Sequence, residues 1–305
     1  MAITPRQALD FFRSDDLIGL GIEADAIRHR LHPEGVVTYS LDRSIDCGEL
    51  NGESTNSVDT ICVKIESAIA MGSNAIRLYA CDAAGISFAE VEQLLQKIKQ
   101  RFPDITLQGF SAQELAIIAG SNNFSVYEAL RRLQNAGLDS ILGGAASAQE
   151  GWLAAHRAAH QLGMLTTATM IFGAGEPLEE RIDLLENLRA LQEETGGFAA
   201  FIPVSFEPRT VAERDEEATA VEYLKVLAAS RLFLDNVENI QSSWAAQGLK
   251  VLQMGLRFGA NDAGSVSPEE NGAKSTTEET LRHIIRDAGF RPVQRDALYR
   301  AMFVN

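Results

Sequence analysis

Three cysteines and one pair of histidines are the side chains of this chain best suited by type to hold a metal or a cluster. Cys47, Cys62 and Cys81 stand 15 and 19 residues apart. A thiolate site needs soft ligands at a spacing that lets several sulfurs converge on one centre. Cys62 lies within VDTICVKIESAIAMG, whose periodicity reads as a helix. The three are therefore read as small, packed thiols. His156 and His160, in HRAAH, have the i, i+4 spacing of a metal-ligand pair on one helix face. They lack the intervening Glu of H-E-x-x-H and are read as a helix surface or a helix–barrel contact. Glu49 and Glu53, beside Cys47, could bind a hard cation but read better as a solvated loop, so no metal site is expected. Among the carboxylates, Glu207 is the candidate for general acid–base chemistry. Asp42-Arg43 is either a structural ion pair or a place where Arg43 meets a ligand's carboxylate or phosphate.

The elements that must position these residues alternate. Strand-like segments occur near Ala75–Leu78, Thr106–Phe110, Ser140–Leu142, Thr166–Ile171, Ala200–Phe206, Asn239–Ser243 and Met254–Phe258, after a first strand at Val36-Val37-Thr38-Tyr39. Amphipathic segments separate most of them: Phe88–Arg101, Val126–Ala136, Trp152–Leu162, Leu178–Thr195 and Val221–Val237. Gly72, Gly137, Gly163 and Gly196-Gly197 close helices just before strands. Strand and helix alternating roughly seven times favours a parallel (β/α) TIM-type barrel over a doubly wound sheet. Residues 1–35 read as an N-terminal helical extension, and 36–300 as the barrel domain. Gly264–Thr277 is the most loop-like stretch, ahead of a last helix and a short strand around Arg291–Arg295.

Function in such a barrel belongs where the strands end and the βα loops gather. The polar residues predicted there are Asp42, Arg43, Tyr79, Ser111, Glu114, Thr169, Ser205, Gln241, Ser243, Asn261 and Asp262, with Glu207 as the catalytic candidate. Gly143-Gly144 could let a ligand approach the backbone closely, and Trp244 could stack on a ring or pack in the core.

Composition excludes several other functions. A formal charge of −15, with no basic run longer than Arg131-Arg132, argues against a nucleic-acid binder. No stretch approaches the ~18 apolar residues of a membrane span, and three cysteines are too few for a disulfide framework, so a cytoplasmic protein is expected.

The segments VVTYSLDRSI, GFSAQE, LRRLQNAGLDSILGG, TTATMIFG, LQEETGGFAAFIPVSFEP, NIQSSWAAQGLK, LRFGAND and IIRDAGFRPVQRDALYR resemble the radical S-adenosylmethionine enzymes of the futalosine route to menaquinone. That family includes dehypoxanthine futalosine cyclase and aminofutalosine synthase, with the FO synthase subunits as relatives. The resemblance runs, with gaps, from about Leu17 to Tyr299. It implies a C-x3-C-x2-C motif after the first strand, whose thiolates hold a [4Fe–4S] cluster that cleaves S-adenosylmethionine. This chain departs from the family there: the first ligand position aligns with Asn51, and no cysteine follows until Cys62. Tyr79-Ala80-Cys81 stands for the family's Gln-Gly-Gly, and Gly143-Gly144-Ala145-Ala146-Ser147 for its Gly-Gly-Gly-Ala-Glu. The family histidine after the fifth strand is Ala174. The losses gather on strands one to five, while Thr166 to Arg300 matches far better.

Taken with the residues, the resemblance implies a cluster-less homologue that binds, or acts non-oxidatively on, a small polar ligand of nucleoside-like or aromatic carboxylate type. No cofactor is expected. A second reading is a non-catalytic partner or regulator of an active homologue; the assemblies expected are a homo-oligomer or a complex with that homologue. A third, S-adenosylmethionine bound without a cluster, is disfavoured by the missing carboxylate and a shortened loop.

Overall fold

The computed structural model describes residues 3–47, 58–80, 87–144, 150–206, 218–267 and 276–300. Two helices lead, α1 (Pro5–Arg13) and α2 (Leu17–Leu31). Thr4 and Gln7 cap α1 reciprocally, and the Asp16 carboxylate accepts from the Gly19 N–H at the start of α2. Then come β1 (Val36–Asp46), α3 (Val58–Ala70), β2 (Ala75–Tyr79), α4 (Phe88–Arg101), β3 (Thr106–Gly109), α5 (Ala112–Ser121) and α6 (Val126–Ala136). The middle of the chain holds α7 (Glu150–Gln161), β4 (Thr166–Phe172), α8 (Leu178–Thr195), β5 (Phe198–Ser205) and α9 (Ala220–Phe233). The last elements are β6 (Asn239–Ile240), α10 (Trp244–Gln247), α11 (Leu249–Gly255), β7 (Asp262–Val266), α12 (Glu278–Asp287) and β8 (Arg291–Gln294).

Every strand pairing is parallel, in two runs, β3-β2-β1-β7 and β4-β5-β6. Single bridges extend them: Ser140 pairs with Gln108 beyond β3, and Gln241 pairs with Asp262 to join β6 to β7. The remaining seam lies between Ser140–Gly144 and β4. There the Ser140 hydroxyl donates to the Leu165 carbonyl at 2.5 Å. A Cβ on Gly143 would stand 2.5 Å from the Thr167 carbonyl oxygen, so only glycine permits this approach. The strands thus curve round into a (β/α) barrel with helices outside, and α1 and α2 pack against α9.

β8 pairs with the first half of β1, Val36–Tyr39, while β2 pairs with its second half from Asp42. The chain after β8 then enters the barrel. Gln108 of β3 donates to the Ala297 carbonyl at 3.2 Å, and the Tyr299 hydroxyl donates to Gln241, just past β6, at 3.1 Å.

Three expected strands need correction. Met254–Phe258 is no strand: Leu252 and Leu256 are buried four residues apart, and the segment continues out of α11. The strand that belongs there is β7, whose DAGSV sequence lacks the β-branched run that would announce it. Gly264 in β7 has φ +80, and a Cβ there would press on the Gln241 amide. Asn239–Ser243 shortens to the two residues of β6, and Ser140–Leu142 to one bridge.

Candidate functional site

A β-strand sends successive side chains to opposite faces, and in this barrel the alternation divides lumen from helical shell. Asp42 and Ser44 of β1, Arg77 and Tyr79 of β2, Thr167 and Thr169 of β4, and Ile202 and Val204 of β5 all face the lumen. With Gln108, Ser111, Leu142, Gly143, Gly144, Gln241, Ser265, Arg295, Ala297 and Tyr299 they line a cavity of about 590 Å³. It lies toward the carboxyl ends of the strands, where barrels of this type hold their ligands. A smaller recess of about 300 Å³ shares Asp42, Ser44, Arg77, Gln241 and Ser265, and extends to Ser243 and Trp244.

Charge in the cavity is arranged in two pairs. The Arg77 Nη2 donates to Asp42 Oδ2 at 2.6 Å and to the Ser265 hydroxyl at 2.9 Å. Below it, Arg295 grips the fully buried Asp262 through Nε and Nη2, at 2.5 and 2.9 Å. Burial opposes the Arg295 charge, but the Asp262 carboxylate outweighs it and holds the guanidinium above its ordinary range. The Arg295 guanidinium also lies 3.7 Å from the centre of the Tyr299 ring, whose phenol is pushed up by burial. Several polar groups have no partner among the described residues: the Ser44, Thr167 and Thr169 hydroxyls and the Gln241 amide nitrogen line the cavity without one.

Of the residues singled out from sequence, Asp42, Tyr79, Ser111, Thr169 and Gln241 line the main cavity, and Ser243 lines the recess. The others lie elsewhere, each for a definable reason. Arg43 is next to Asp42 and so faces the opposite side of β1; the partner of Asp42 is Arg77 on the neighbouring strand. Glu114 spends both oxygens on backbone N–H groups, those of Ala80 and Ser111 at 2.8 and 2.6 Å, tying the end of β2 to α5. Ser205 has the opposite parity to Val204 and accepts from Gln247 in the shell at 2.9 Å. Asn261 lies below the cavity, where its carbonyl accepts from the buried Arg231 and from the Ile240 N–H. Asp262 is the anchor of Arg295. Glu207 falls outside the described residues, as do Cys81, Glu49, Glu53 and Asn51.

His156 and His160 join α7 to β4 through one hydroxyl, that of Thr166, at 2.9 and 2.8 Å. Arg77, Ser44, Gln108, Thr167 and Ser265 escaped the sequence reading. The two-residue alternation through Asp42, Tyr79 and Thr169 contained Ser44, Arg77 and Thr167, but only relative to a known lumen face.

Cys47 and Cys62, the cysteines among the described residues, sit in surroundings unlike those a [4Fe–4S] ligand needs. Cys47 is buried at the end of β1, its N–H and Sγ both directed at the Tyr79 carbonyl oxygen at 2.8 and 3.1 Å. Cys62 is buried on α3 within the apolar cluster of that side of the barrel, and burial pushes its thiol up, away from the thiolate a cluster needs. A three-thiolate cradle would require all three cysteines of the chain, and these two belong to a strand end and to the core face of a helix.

The family model described as "CofH/MqnC C-terminal region" matches residues 195–304. The cyclic dehypoxanthine futalosine synthase of Streptomyces coelicolor is 33% identical over 344 aligned positions, covering 99% of this chain and 86% of that protein. Because 344 positions exceed the 305 residues here, the relative carries insertions that this chain lacks. The aminodeoxyfutalosine synthase of Thermus thermophilus is 34% identical over 276 positions, 81% of this chain and 74% of its own length. In fold, the chain superposes on methylornithine synthase with a TM-score of 0.71 at 15% identity, over 96% of this chain and 94% of that one. A barrel of this topology, matched almost end to end by enzymes of one route, makes the chain a member of the CofH/MqnC family of futalosine-pathway radical S-adenosylmethionine enzymes.

Proposed function

We propose that this chain is a cluster-less member of its family that binds, or acts non-oxidatively on, a small polar molecule at the carboxyl-end mouth of the barrel. The names of its relatives suggest the class, a nucleoside-like or aromatic carboxylate compound linked to menaquinone biosynthesis. The observation that carries the reading is the cavity itself. Its volume of about 590 Å³ suits a small metabolite. Its walls mix apolar Leu142, Ile202 and Val204 with hydroxyls and an amide nitrogen that have no partner among the described residues. Polar groups directed into a partly sheltered space lose stability unless ligand or water fills their valences. The absent cysteine spacing supports the cluster-less part of the reading.

Native mass spectrometry of protein isolated anaerobically tests both parts together. The expected result is a stoichiometric small molecule without iron or acid-labile sulfide, lost in Gln241→Ala, while the melting temperature of the emptied protein changes little. Protein that carries no metabolite, and whose melting temperature no nucleoside or aromatic carboxylate raises, would refute the binding role.

A further inference from the structure

Among the described residues of the cavity, Arg77 is the cation with hydrogen-bonding capacity left over, and we propose that it is the anchor for a carboxylate on the ligand. The inference rests on the cavity being a ligand site, and adds to it the chemistry of one end of that ligand.

Arg77 belongs to β2, in register with Ser44 of β1. Its side chain crosses over β1, donating to Asp42 on the way and reaching Ser265 of β7 on the far side. A guanidinium has five N–H donors. Both Nη2 hydrogens are used, one on Asp42 Oδ2 and one on the Ser265 hydroxyl. The Nε–H and the two Nη1 hydrogens have no partner among the described residues, although the side chain is only 35% exposed. Neither atom is among the sealed, unpartnered polar atoms of the interior, so both keep accessible surface, and Arg77 lines the cavity.

Arg295 has no comparable surplus. Its Nε and Nη2 are taken by Asp262 and its Nη1 by the Asp296 carbonyl, and the Tyr299 ring lies against it. Asp42 does not compete for the open donors, because it holds Arg77 through Nη2 alone.

The class of ligand follows from charge and shape. A molecule with a net charge of −15 repels anions at long range, so an anion enters only where a local cation is held for it. Arg77 shares its charge with Asp42, so its three open donors suit at most a single negative charge, and charge-assisted N–H···O bonds in a partly dry site are among the stronger polar contacts. A phosphate, with close to two charges, would call for a second free cation, and among the described residues the cavity's other arginine, Arg295, is spent on Asp262. The apolar wall of Leu142, Ile202 and Val204 then suits the ring or chain that carries the carboxylate.

Ligand-observed NMR titrations with benzoate, benzamide, adenosine and inorganic phosphate test this on the wild type, Arg77→Lys and Arg77→Leu. Benzoate should bind the wild type, with benzamide and phosphate at least about tenfold weaker, the cost of one lost charged contact. Arg77→Lys keeps a cation for Asp42 but loses the fixed fork, and should weaken benzoate about tenfold or more while leaving adenosine unchanged. Arg77→Leu should abolish benzoate binding; if it does not fold, the lysine variant and the benzoate–benzamide comparison carry the test. Benzoate binding untouched by either substitution, phosphate binding tighter than benzoate, or adenosine binding with no benzoate binding would overturn the anchor and leave the cavity reading standing. If no probe binds the wild type at millimolar concentration, anchor and cavity reading fall together.

Discussion

Asp262 and Thr169 illustrate how differently two polar residues on barrel strands are used. Asp262 is fully buried, and its two oxygens accept from Arg295, from the Thr38 hydroxyl at 2.6 Å and from the Gly264 N–H at 2.9 Å. Removing one partner of such a pair strands the other charge in the interior, which costs about 3–5 kcal/mol. Asp262→Asn should therefore lower the free energy of unfolding in urea by an amount of that order. Thr169 has no side-chain hydrogen bond among the described residues and faces the cavity. Thr169→Val should change stability by less than about 1 kcal/mol, since it exchanges a hydroxyl facing open space for a methyl. A large loss from Thr169→Val would mean that the lumen is packed against it and holds no ligand.

The contact of α7 with β4 and β5 depends on two histidines held neutral. Thr195 donates its hydroxyl to the Leu191 carbonyl, so it accepts from His160 Nδ1. The His160 Nε2 must then accept from Thr166, whose oxygen is left to accept from His156 Nδ1. Burial pulls His156 down to about 3 and His160 down to about 4, helped by their mutual proximity and by Arg157 respectively. In the unfolded chain both take up protons near the ordinary value of 6.5, while in the folded protein they do not. Protons thus favour the unfolded state as pH falls below 6.5, and each histidine removes up to about 1.4 kcal/mol per pH unit in that range. Urea midpoints measured from pH 7 to 5 should fall, and His160→Gln should flatten the slope. The same contact explains Gly197: a Cβ there would run into the His160 ring. Gly197→Ala should cost about 1–3 kcal/mol by overpacking, read as a lower denaturation midpoint.

At the scale of the molecule, the barrel puts the chain's far ends together. β1 opens the barrel, and the segment after β8 crosses its interior to meet Gln108 and Gln241. Of its cysteines, Cys47 lies against the Tyr79 carbonyl and Cys62 in the helical shell. Anaerobic incubation with iron and sulfide should leave the protein without a stoichiometric thiolate-to-iron absorbance. A full cluster that disappears when Cys47, Cys62 and Cys81 are replaced would show that these thiols do converge. No helix among the described residues is long and apolar enough to cross a membrane.

The sequence by itself determined the helices and the family. Phe88–Arg101, Val126–Ala136 and Leu178–Thr195 are legible to the residue, because a long amphipathic stripe ends in a defined cap such as Gly137 with φ +117. It also determined that the cluster motif is missing, which is a matter of residue type alone. Tertiary structure decided the short strands, since β6 and β7 are held by neighbours and have too few residues for a pattern. It decided the site as well. Lumen and shell both bury side chains, so hydropathy cannot say which face of a strand a polar residue occupies. Ser205, Asn261 and Asp262 read like Thr169 and Gln241 until Gln247, Arg231 and Arg295 arrive from 42, 30 and 33 residues away to claim them. Arg77 became a candidate only when the fold showed which of its donors nothing else had taken.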